Sequence, residues 1–304
     1  MSGPASGILA CPVDVVCDAL GNVWIADCEH QAVIGIDGRG EVIARVDGSP
    51  DGAGFRTPRA LALAPDGNTL HVLDGETGAV CRVDVTASRA PAETMATGLD
   101  EPRAMVVDHE AGWLYIATAN DGGIQRIAMA EDRQAHGGRA GEALLSPGVL
   151  GRTEHMALSS DRRRLYVVDG QPRSVRVIDL VQGEVSTLAA LPDVEPESGP
   201  GDIARQASDA GMAITVTPAG LMVADPVAAM LYGINPRHGT VVPIWRGDRG
   251  DAEQARPTSV AFDRMTRTYV VADPGNHRLL RVSRDAQSTR VIAVSDPAQI
   301  AGTM

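Results

Sequence analysis

Six residues of this sequence have types and positions that could carry out chemistry on a small molecule: Asp14, Arg59, Arg103, Glu154, His155 and Ser259. An imidazole can transfer protons near neutral pH or bind a metal, and a carboxylate can act as a base or a ligand. A guanidinium group matches the planar oxyanions of carboxylates and phosphates. If the fold brings these side chains together, they form a site for an anionic or carbonyl-containing metabolite.

The pair Glu154-His155 stands out because it departs from a local pattern. The stretches 56–67, 100–112 and 255–266 each hold a proline, then small or basic residues, then an apolar run. In "RTEHMALSSD" (152–161) the proline is absent, and Glu154 and His155 precede the apolar run. A residue pair that breaks a repeated pattern is a better candidate for chemistry than one that every repeat contains.

The elements that must position these residues repeat along the chain. Six segments begin near Pro12, Pro58, Pro102, Glu154, Asp209 and Pro257. Each contains a short apolar strand, a tight turn, a second strand such as "VWIAD" or "TYVVAD", and then two more strands of alternating pattern. Period-two alternation with turns such as Asp66-Gly67 indicates antiparallel hairpins. Four strands at a period of about forty residues are typical of a propeller blade.

We therefore predict an all-β fold, a six-bladed β-propeller of four-stranded antiparallel blades that forms a single domain over residues 1–304. The predicted blades span about 11–50, 56–98, 100–151, 152–193, 207–247 and 255–294. The first and the last unit both look complete. The ring can therefore close end to end, or residues 6–10 can add an edge strand, and the sequence leaves both open.

The last unit, "RPTSVAFDRMTRTYVVADPGNHRLLRV" (256–282), resembles the NHL repeat, and "TPRALALAPDGNTLHVLD" in the second unit is also similar to it. The resemblance extends over roughly 11–294 and implies an NHL-type propeller. NHL propellers include enzymes, RNA-binding domains and protein scaffolds, so the resemblance implies a fold more firmly than a function.

In a propeller, the starts of the inner strands surround the mouth of a central channel. These starts are Val13-Asp14, Arg59-Ala60, Arg103-Ala104, Glu154-His155, Ala210-Gly211 and Thr258-Ser259. We expect His155 and Asp14 to form one layer, aligned with Ala60, Ala104 and Gly211. Glu154 then joins Arg59 and Arg103 in another layer. Because neighbours on a strand point to opposite sides, we expect His155 alone to face the axis.

Each candidate also has a structural interpretation. Arg59 and Arg103 either clamp an anionic group of the substrate, with Ser259 beside them, or pair with acids of the preceding loops. Asp14 either takes part in chemistry or caps a backbone turn. Glu154 is either a catalytic carboxylate or the ion-pair partner of the arginines. By contrast, an aspartate ends the second strand in five of the six units, which indicates a structural turn role.

A divalent metal, calcium or zinc, is one hypothesis for the channel, with His155, Asp14 and Glu154 as candidate ligands. Six-bladed propellers similar in architecture include calcium-dependent lactonases and a lyase with a histidine-bound zinc. The likeness to them suggests Asn120 or Asp209 as a further calcium ligand. In the alternative without a metal, His155 acts as acid or base while the arginines hold an anion and stabilise developing negative charge.

Composition limits the partners. A net charge of -12 and an aromatic content of 3% disfavour nucleic acid, and the charge also disfavours anionic membranes. No apolar run reaches the length of a membrane span, and the first residues lack a basic segment followed by an apolar one. The four cysteines have no CxxC spacing. We therefore expect a cytoplasmic protein with reduced thiols.

The long segment 191–208 is rich in proline, glycine and acidic residues, and it is either a lid over the mouth or a disordered connector. Taken together, these patterns favour a hydrolase-like or lyase-like enzyme acting on a small molecule at the channel mouth. The alternative is a propeller without catalytic activity that binds a protein or peptide partner through the same face.

Overall fold

The structure is a computed structural model. It describes residues 8–48, 54–86, 92–118, 122–129, 142–194, 211–247 and 254–296. The predicted all-β fold is confirmed: 24 strands form six sheets of four antiparallel strands each. One short 3-10 helix, Pro274–Asn276, is the only helix in this described part of the chain. None of the described elements is a helix long and apolar enough to cross a membrane.

The first three blades contain the strands β1 (Pro12–Cys17), β2 (Val23–Asp27), β3 (Ala32–Ile36), β4 (Val42–Val46), β5 (Pro58–Leu63), β6 (Thr69–Asp74), β7 (Ala79–Asp84), β8 (Glu93–Ala96), β9 (Pro102–Asp108), β10 (Trp113–Thr118), β11 (Ile124–Ala128) and β12 (Glu142–Leu145). The other three contain β13 (Thr153–Leu158), β14 (Arg164–Gly170), β15 (Arg173–Asp179), β16 (Val185–Ala190), β17 (Ala213–Thr217), β18 (Gly220–Asp225), β19 (Met230–Ile234), β20 (Val241–Arg246), β21 (Ser259–Asp263), β22 (Thr268–Asp273), β23 (Arg278–Val282) and β24 (Thr289–Ile292).

The ring closes end to end. Each blade uses four consecutive strands, and the first strand of every blade contacts the first strand of the next, including β21 of blade six with β1 of blade one. After β24 the chain continues along blade one, where the N–H of Val42 donates to the Ser295 carbonyl at 2.9 Å. The N–H of Ser295 in turn donates to the carbonyl of Gly40 at 2.9 Å. Within the described residues, no strand is exchanged between the terminal blades.

The hydrophobic core is divided into six clusters, one between each pair of neighbouring blades. Between blades one and two, Trp24 packs with Leu70 and Val72. The second strands are almost wholly buried because blades cover both of their faces, which is why they read as continuous apolar runs. Burying each large apolar side chain contributes about 1.5–3 kcal/mol, so the clusters hold neighbouring blades together.

The repeated aspartates have the structural role that their repetition predicts. Asp27, Asp74, Asp169, Asp225 and Asp273 are buried at the ends of the second strands. Asp74, for example, accepts hydrogen bonds from the backbone N–H groups of Arg56 at 2.6 Å and Thr77 at 3.0 Å. Such carboxylates satisfy buried backbone donors where the connection from one blade reaches the next.

Strand register confirms the predicted alignment of Asp14, Ala60 and Ala104 with His155, and it corrects the alignment of blade five. Asp14, Ala60, Ala104, His155 and Ser259 occupy equivalent positions opposite the second strands. In blade five the equivalent residue is Ala213, which pairs with Ala224, so the expected alignment of Gly211 with His155 is wrong. Gly211 instead precedes the strand with a left-handed φ of 74°, and regular pairing begins only after it.

Candidate functional site

A cavity of about 280 Å³ opens at the mouth of the channel, where the inner strands begin. It brings together Asp14, Arg59, Arg103, Glu154 and His155. The other lining residues are Cys11, Val13, Cys28, Glu29, Thr57, Met212, Thr258 and Pro274. Ser259 lies deeper, in a larger channel cavity of about 760 Å³ that Asp14 and His155 also line.

Glu154 and His155 both reach the mouth cavity, which differs from the expectation that His155 alone would face the axis. The reason is a register irregularity between Thr153 and His155, in which Glu154 has no partner on β14. A β-bulge of this kind re-aims a side chain that regular alternation would send to the other face. Arg59 and Arg103 occupy the matching irregularities of blades two and three.

The Glu154 side chain is tucked between blades four and five. Its Oε2 accepts a 2.6 Å hydrogen bond from the Met212 N–H, and its Oε1 lies 3.7 Å from the Nε of Arg152. Burial raises the pKa of the Glu154 carboxyl, and the Met212 hydrogen bond and the positive charges of Arg152, Arg103 and Arg173 partly offset that rise. The surroundings of Glu154 therefore favour its neutral form more than water does.

The His155 ring has one nitrogen engaged by the backbone. The N–H of Ile214 in blade five points at His155 Nδ1 across 3.4 Å, so that nitrogen is the acceptor. In a neutral imidazole whose Nδ1 accepts a hydrogen bond, the proton resides on Nε2. The neutral ring therefore has an Nε2–H donor and no free basic nitrogen.

Asp14 connects three blades. Its carboxylate accepts hydrogen bonds from the Leu61 N–H at 2.7 Å, the Ser259 hydroxyl at 2.6 Å and the Val15 N–H at 2.9 Å. Burial raises the pKa of Asp14, while the hydrogen bonds from Ser259, Leu61 and Val15 act to lower it. Its surroundings match the structural interpretation of Asp14, and they give Ser259 the same linking role.

The arginines flank the carboxylate side of the mouth. Arg59 packs its side-chain carbons against Gly75 at the end of the second strand of its own blade. Arg103 lies close enough to Glu154 to lower the pKa of that carboxyl. Two guanidinium groups and one buried carboxyl thus line one small cavity, together with the ring of His155.

Two thiols, which the sequence patterns do not predict, face each other at the mouth. The N–H of Cys28 donates to the Cys11 carbonyl at 3.0 Å, which places the two residues opposite each other where β1 begins and β2 ends. A hydrogen bond from the Cys11 thiol lowers the pKa of Cys28, while the same contact and burial raise the pKa of Cys11. Pairing the predicted strands residue by residue would have revealed this contact, because Pro12 lies opposite Asp27.

The predicted metal ligands do not fit a metal. Nowhere in the described ranges are three or more histidine, cysteine, aspartate or glutamate side chains grouped so that they could hold one. The Asp14 oxygens face N–H and O–H donors, and His155 Nδ1 faces a backbone N–H, so these atoms already have hydrogen-bond donors as partners. The suggested ligands Asn120 and Asp209, and most of the suggested lid 191–208, lie outside the described residues.

Comparisons with solved structures agree on the fold. A catalytically inactive virginiamycin B lyase from Staphylococcus aureus with quinupristin is 16% identical, with a TM-score of 0.60 over 94% of this chain and 85% of that chain. An auxiliary nutrient-binding protein from Bacteroides thetaiotaomicron is 13% identical, with a TM-score of 0.65 over 89% and 68%. A nidogen/laminin complex is 15% identical, with a TM-score of 0.56 over 78% and 79%.

No protein-family model and no curated protein matches the chain. Identities this low establish a likeness of fold alone, so the chemistry of the mouth must be argued from its own residues.

Proposed function

We propose that this protein is an NHL-like enzyme of hydrolase or lyase type that acts on a small anionic or carbonyl-containing metabolite at the channel mouth. The observation that carries the proposal is the shared lining of one cavity of about 280 Å³ by Arg59, Arg103, Glu154 and His155. Concave sites of roughly this size with a few convergent polar groups are typical of small-molecule binding.

The proposed roles rest on the charges and contacts of the residues that line the cavity. Arg59 and Arg103 hold the anionic group of the substrate and orient its carbonyl. The Nε2–H of His155 donates to the carbonyl oxygen and stabilises the oxyanion or enolate that forms there. Glu154, whose pKa is raised by burial, removes a proton from water or from carbon and returns it to the leaving group. This assignment moves the base from His155 to Glu154.

The alternative, a binding module for a protein or peptide, has less support from the surface. The large exposed apolar side chains of the described residues are Leu20, Ile43, Val149, Val181, Val242, Met265 and Val291. None of them lines the mouth cavity, whereas stable protein interfaces usually have an apolar centre. Among the structural neighbours, one is a lyase with quinupristin and another is a nidogen/laminin complex, so the fold by itself is compatible with either function.

A substrate panel tests the proposal. Purified protein is incubated with lactones, carboxylic esters and carboxylates that carry a β-leaving group, each with an anionic and a neutral member. We expect turnover of the anionic member in at least one class, and a loss of about a hundredfold in kcat/KM for Arg103→Ala or His155→Ala. Arg290→Ala, which removes an exposed arginine of β24, is the matched control and should retain activity.

Two results would overturn the proposal: turnover that Arg103→Ala and His155→Ala leave unchanged, or no turnover in any of the three classes. If the panel is negative and a peptide partner competes with anionic ligands at the mouth, the binding module is the better assignment.

A further inference from the structure

The opposite end of the channel has an unusual charge arrangement. Three exposed arginines of blade six, Arg264, Arg267 and Arg284, line the larger cavity of about 760 Å³ where it opens on the face away from the mouth. None of the three side chains makes a hydrogen bond or an ion pair with a residue that the structure describes. Asp14 is the one carboxylate among the described lining residues, and it lies at the far end of the channel.

Arg267 also occupies a backbone position that favours glycine. In the turn between the first two strands, blades one, two, three and five have a glycine with positive φ, and Arg267 adopts a φ of 56° there. An L-residue in this region costs about 1–2 kcal/mol relative to glycine. Blade four also has an arginine in this turn, but Arg162 forms ion pairs with Asp108 and Glu110. Arg267 has no such partner among the described residues.

Immediately inside these arginines lies a ring of mainly apolar side chains. One residue comes from the end of each inner strand: Cys17, Leu63, Val107, Leu158, Val216 and Phe262. All six are half-buried and line the channel cavity. When an apolar ligand displaces water from such an apolar wall, the free energy of the system falls, which favours binding.

The distance available for an apolar chain follows from strand geometry. Phe262 and Ser259 are three residues apart on β21, which corresponds to about 10 Å along the strand. Between these levels the wall is formed by residues such as Met105, Met156 and Ile214. Asp14, His155 and Ser259 line the same cavity at the upper end of this apolar section.

We propose that this opening binds an amphiphilic carboxylate, with its anionic head between the three arginines and its alkyl chain inside the ring. A small inorganic anion would leave the apolar ring solvated, and an uncharged alkyl chain would leave the arginines without a counter-charge. An amphiphilic anion satisfies both surfaces at once, because guanidinium groups favour planar oxyanions. The site is separate from Arg59, Arg103 and Glu154, so it stands independently of the function proposed for the mouth.

Isothermal titration with decanoate tests the proposal, and decylamine, decanol and acetate are the comparison ligands. We expect decanoate to bind at least about tenfold more tightly than each of the three, since it alone combines the chain with negative charge. The triple variant Arg264→Gln, Arg267→Gln, Arg284→Gln should weaken decanoate binding by at least about tenfold. Arg39→Gln, Arg237→Gln, Arg290→Gln removes the same charge from exposed positions elsewhere and should leave binding unchanged.

A second variant tests the ring. Val216→Thr keeps the shape of the side chain while adding a hydroxyl, so it should weaken decanoate several-fold and leave acetate unaffected. The proposal fails if the three-arginine variant binds decanoate as tightly as the unmodified protein, or if decylamine binds equally well. It also fails if Arg103→Ala abolishes decanoate binding, since the ligand would then occupy the mouth.

Discussion

The surroundings of Glu154 disfavour its charged form more than the surroundings of a surface carboxylate do. Its side chain is 9% exposed and lies between two blades, where it accepts a hydrogen bond from the Met212 N–H. At neutral pH an ionised group with a raised pKa destabilises the folded state relative to the unfolded chain. A carboxyl with a raised pKa at the mouth of a polar cavity is the feature on which the proposed catalytic role of Glu154 rests.

The first prediction follows from this environment. Glu154→Gln should lower kcat on the substrate found in the panel by about a hundredfold or more, because the amide cannot transfer the proton. The same variant should raise the thermal unfolding midpoint at pH 7, because the neutral amide avoids the burial penalty and can still accept the Met212 hydrogen bond. Calorimetry and steady-state kinetics measure the two effects. Equal or lower stability together with full activity would contradict both parts.

A second prediction concerns the thiols. The pKa of Cys28 is lowered by the hydrogen bond from Cys11, whereas burial raises the pKa of Cys17 to about 12. Since the thiolate is the reactive species, iodoacetamide should modify Cys28 well before Cys17 at pH 7.5. Peptide mass mapping over time gives the order. Cys11→Ala, which removes the donor, should slow the modification of Cys28, and a rate unaffected by that substitution would refute the proposed contact.

The candidate residues differ in how far the sequence could predict them. Glu154 and His155 were found because they depart from a repeated position, and Arg59 and Arg103 because two blades share a cation there. The facing thiols were missed because Cys11 and Cys28 are far apart in sequence and only strand register brings them together. The hydrogen bond that fixes the His155 tautomer comes from a neighbouring blade, and no local pattern contains it.

Among the elements, the hairpin of β13 and β14 positions the site through one bulge and one small residue. The bulge turns Glu154 toward the cavity, and Gly170 at the end of β14 leaves room for its carboxylate. A Cβ at position 170 would overlap Glu154 Oε1 more closely than real Cβ atoms approach any neighbour. The φ of Gly170 is not in the left-handed region, so space and not backbone conformation is what excludes a larger residue.

The third prediction uses that distinction. Gly170→Ala should displace the Glu154 side chain and lower kcat/KM by about tenfold to a hundredfold, with little change in the far-UV circular dichroism. Gly38→Ala is the matched control, because an added Cβ there meets no atom within 4 Å and the backbone does not require glycine. If both variants retain activity, Glu154 does not need its present position. Equal losses in the two variants would indicate a general effect of the substitution.

The strands themselves are largely predictable, because alternation and turn residues repeat, and an aspartate ends five of the six second strands. The predicted alignment of the fifth blade is wrong by two residues. Gly211 precedes its inner strand at the position where four other blades have a proline and blade four has Thr153, at the start of its register irregularity. An irregular connection of this kind depends on tertiary contacts. Glu154, for example, packs directly against Gly211.

In the molecule as a whole, contacts between neighbouring blades hold the ring together. Apolar clusters lie between the blades, and Asp14 adds hydrogen bonds that link blades six, one and two. Blades two and three also meet through the rings of His71 and His109, whose centroids are 5.3 Å apart. His71 lies on β6 and is 2% exposed. Met222 occupies the equivalent position of blade five.

This histidine pair predicts that the ring weakens in mild acid. Burial, together with the charges of His109 and Arg82, lowers the pKa of His71 to about 4, from an ordinary value of 6.5, although Asp66 acts in the opposite direction. Above pH 6.5 the residue is neutral in both the folded and the unfolded chain, so it adds no pH dependence. Between 6.5 and 4 the unfolded chain binds a proton that the folded protein does not, and stability falls as the pH falls.

The expected loss from His71 is at most about 1.4 kcal/mol per pH unit, and roughly 3 kcal/mol over the whole interval. Urea unfolding of the unmodified protein and of His71→Met at several pH values between 4 and 7.5 measures it, since methionine occupies the equivalent position of blade five without titrating. Other groups titrate in both proteins, so the informative quantity is the difference between their unfolding free energies. That difference should shift in favour of the methionine variant as the pH is lowered and level off below pH 4. A difference independent of pH would mean that His71 gains its proton as easily in the folded protein as in the unfolded chain, and that water reaches the junction of blades two and three.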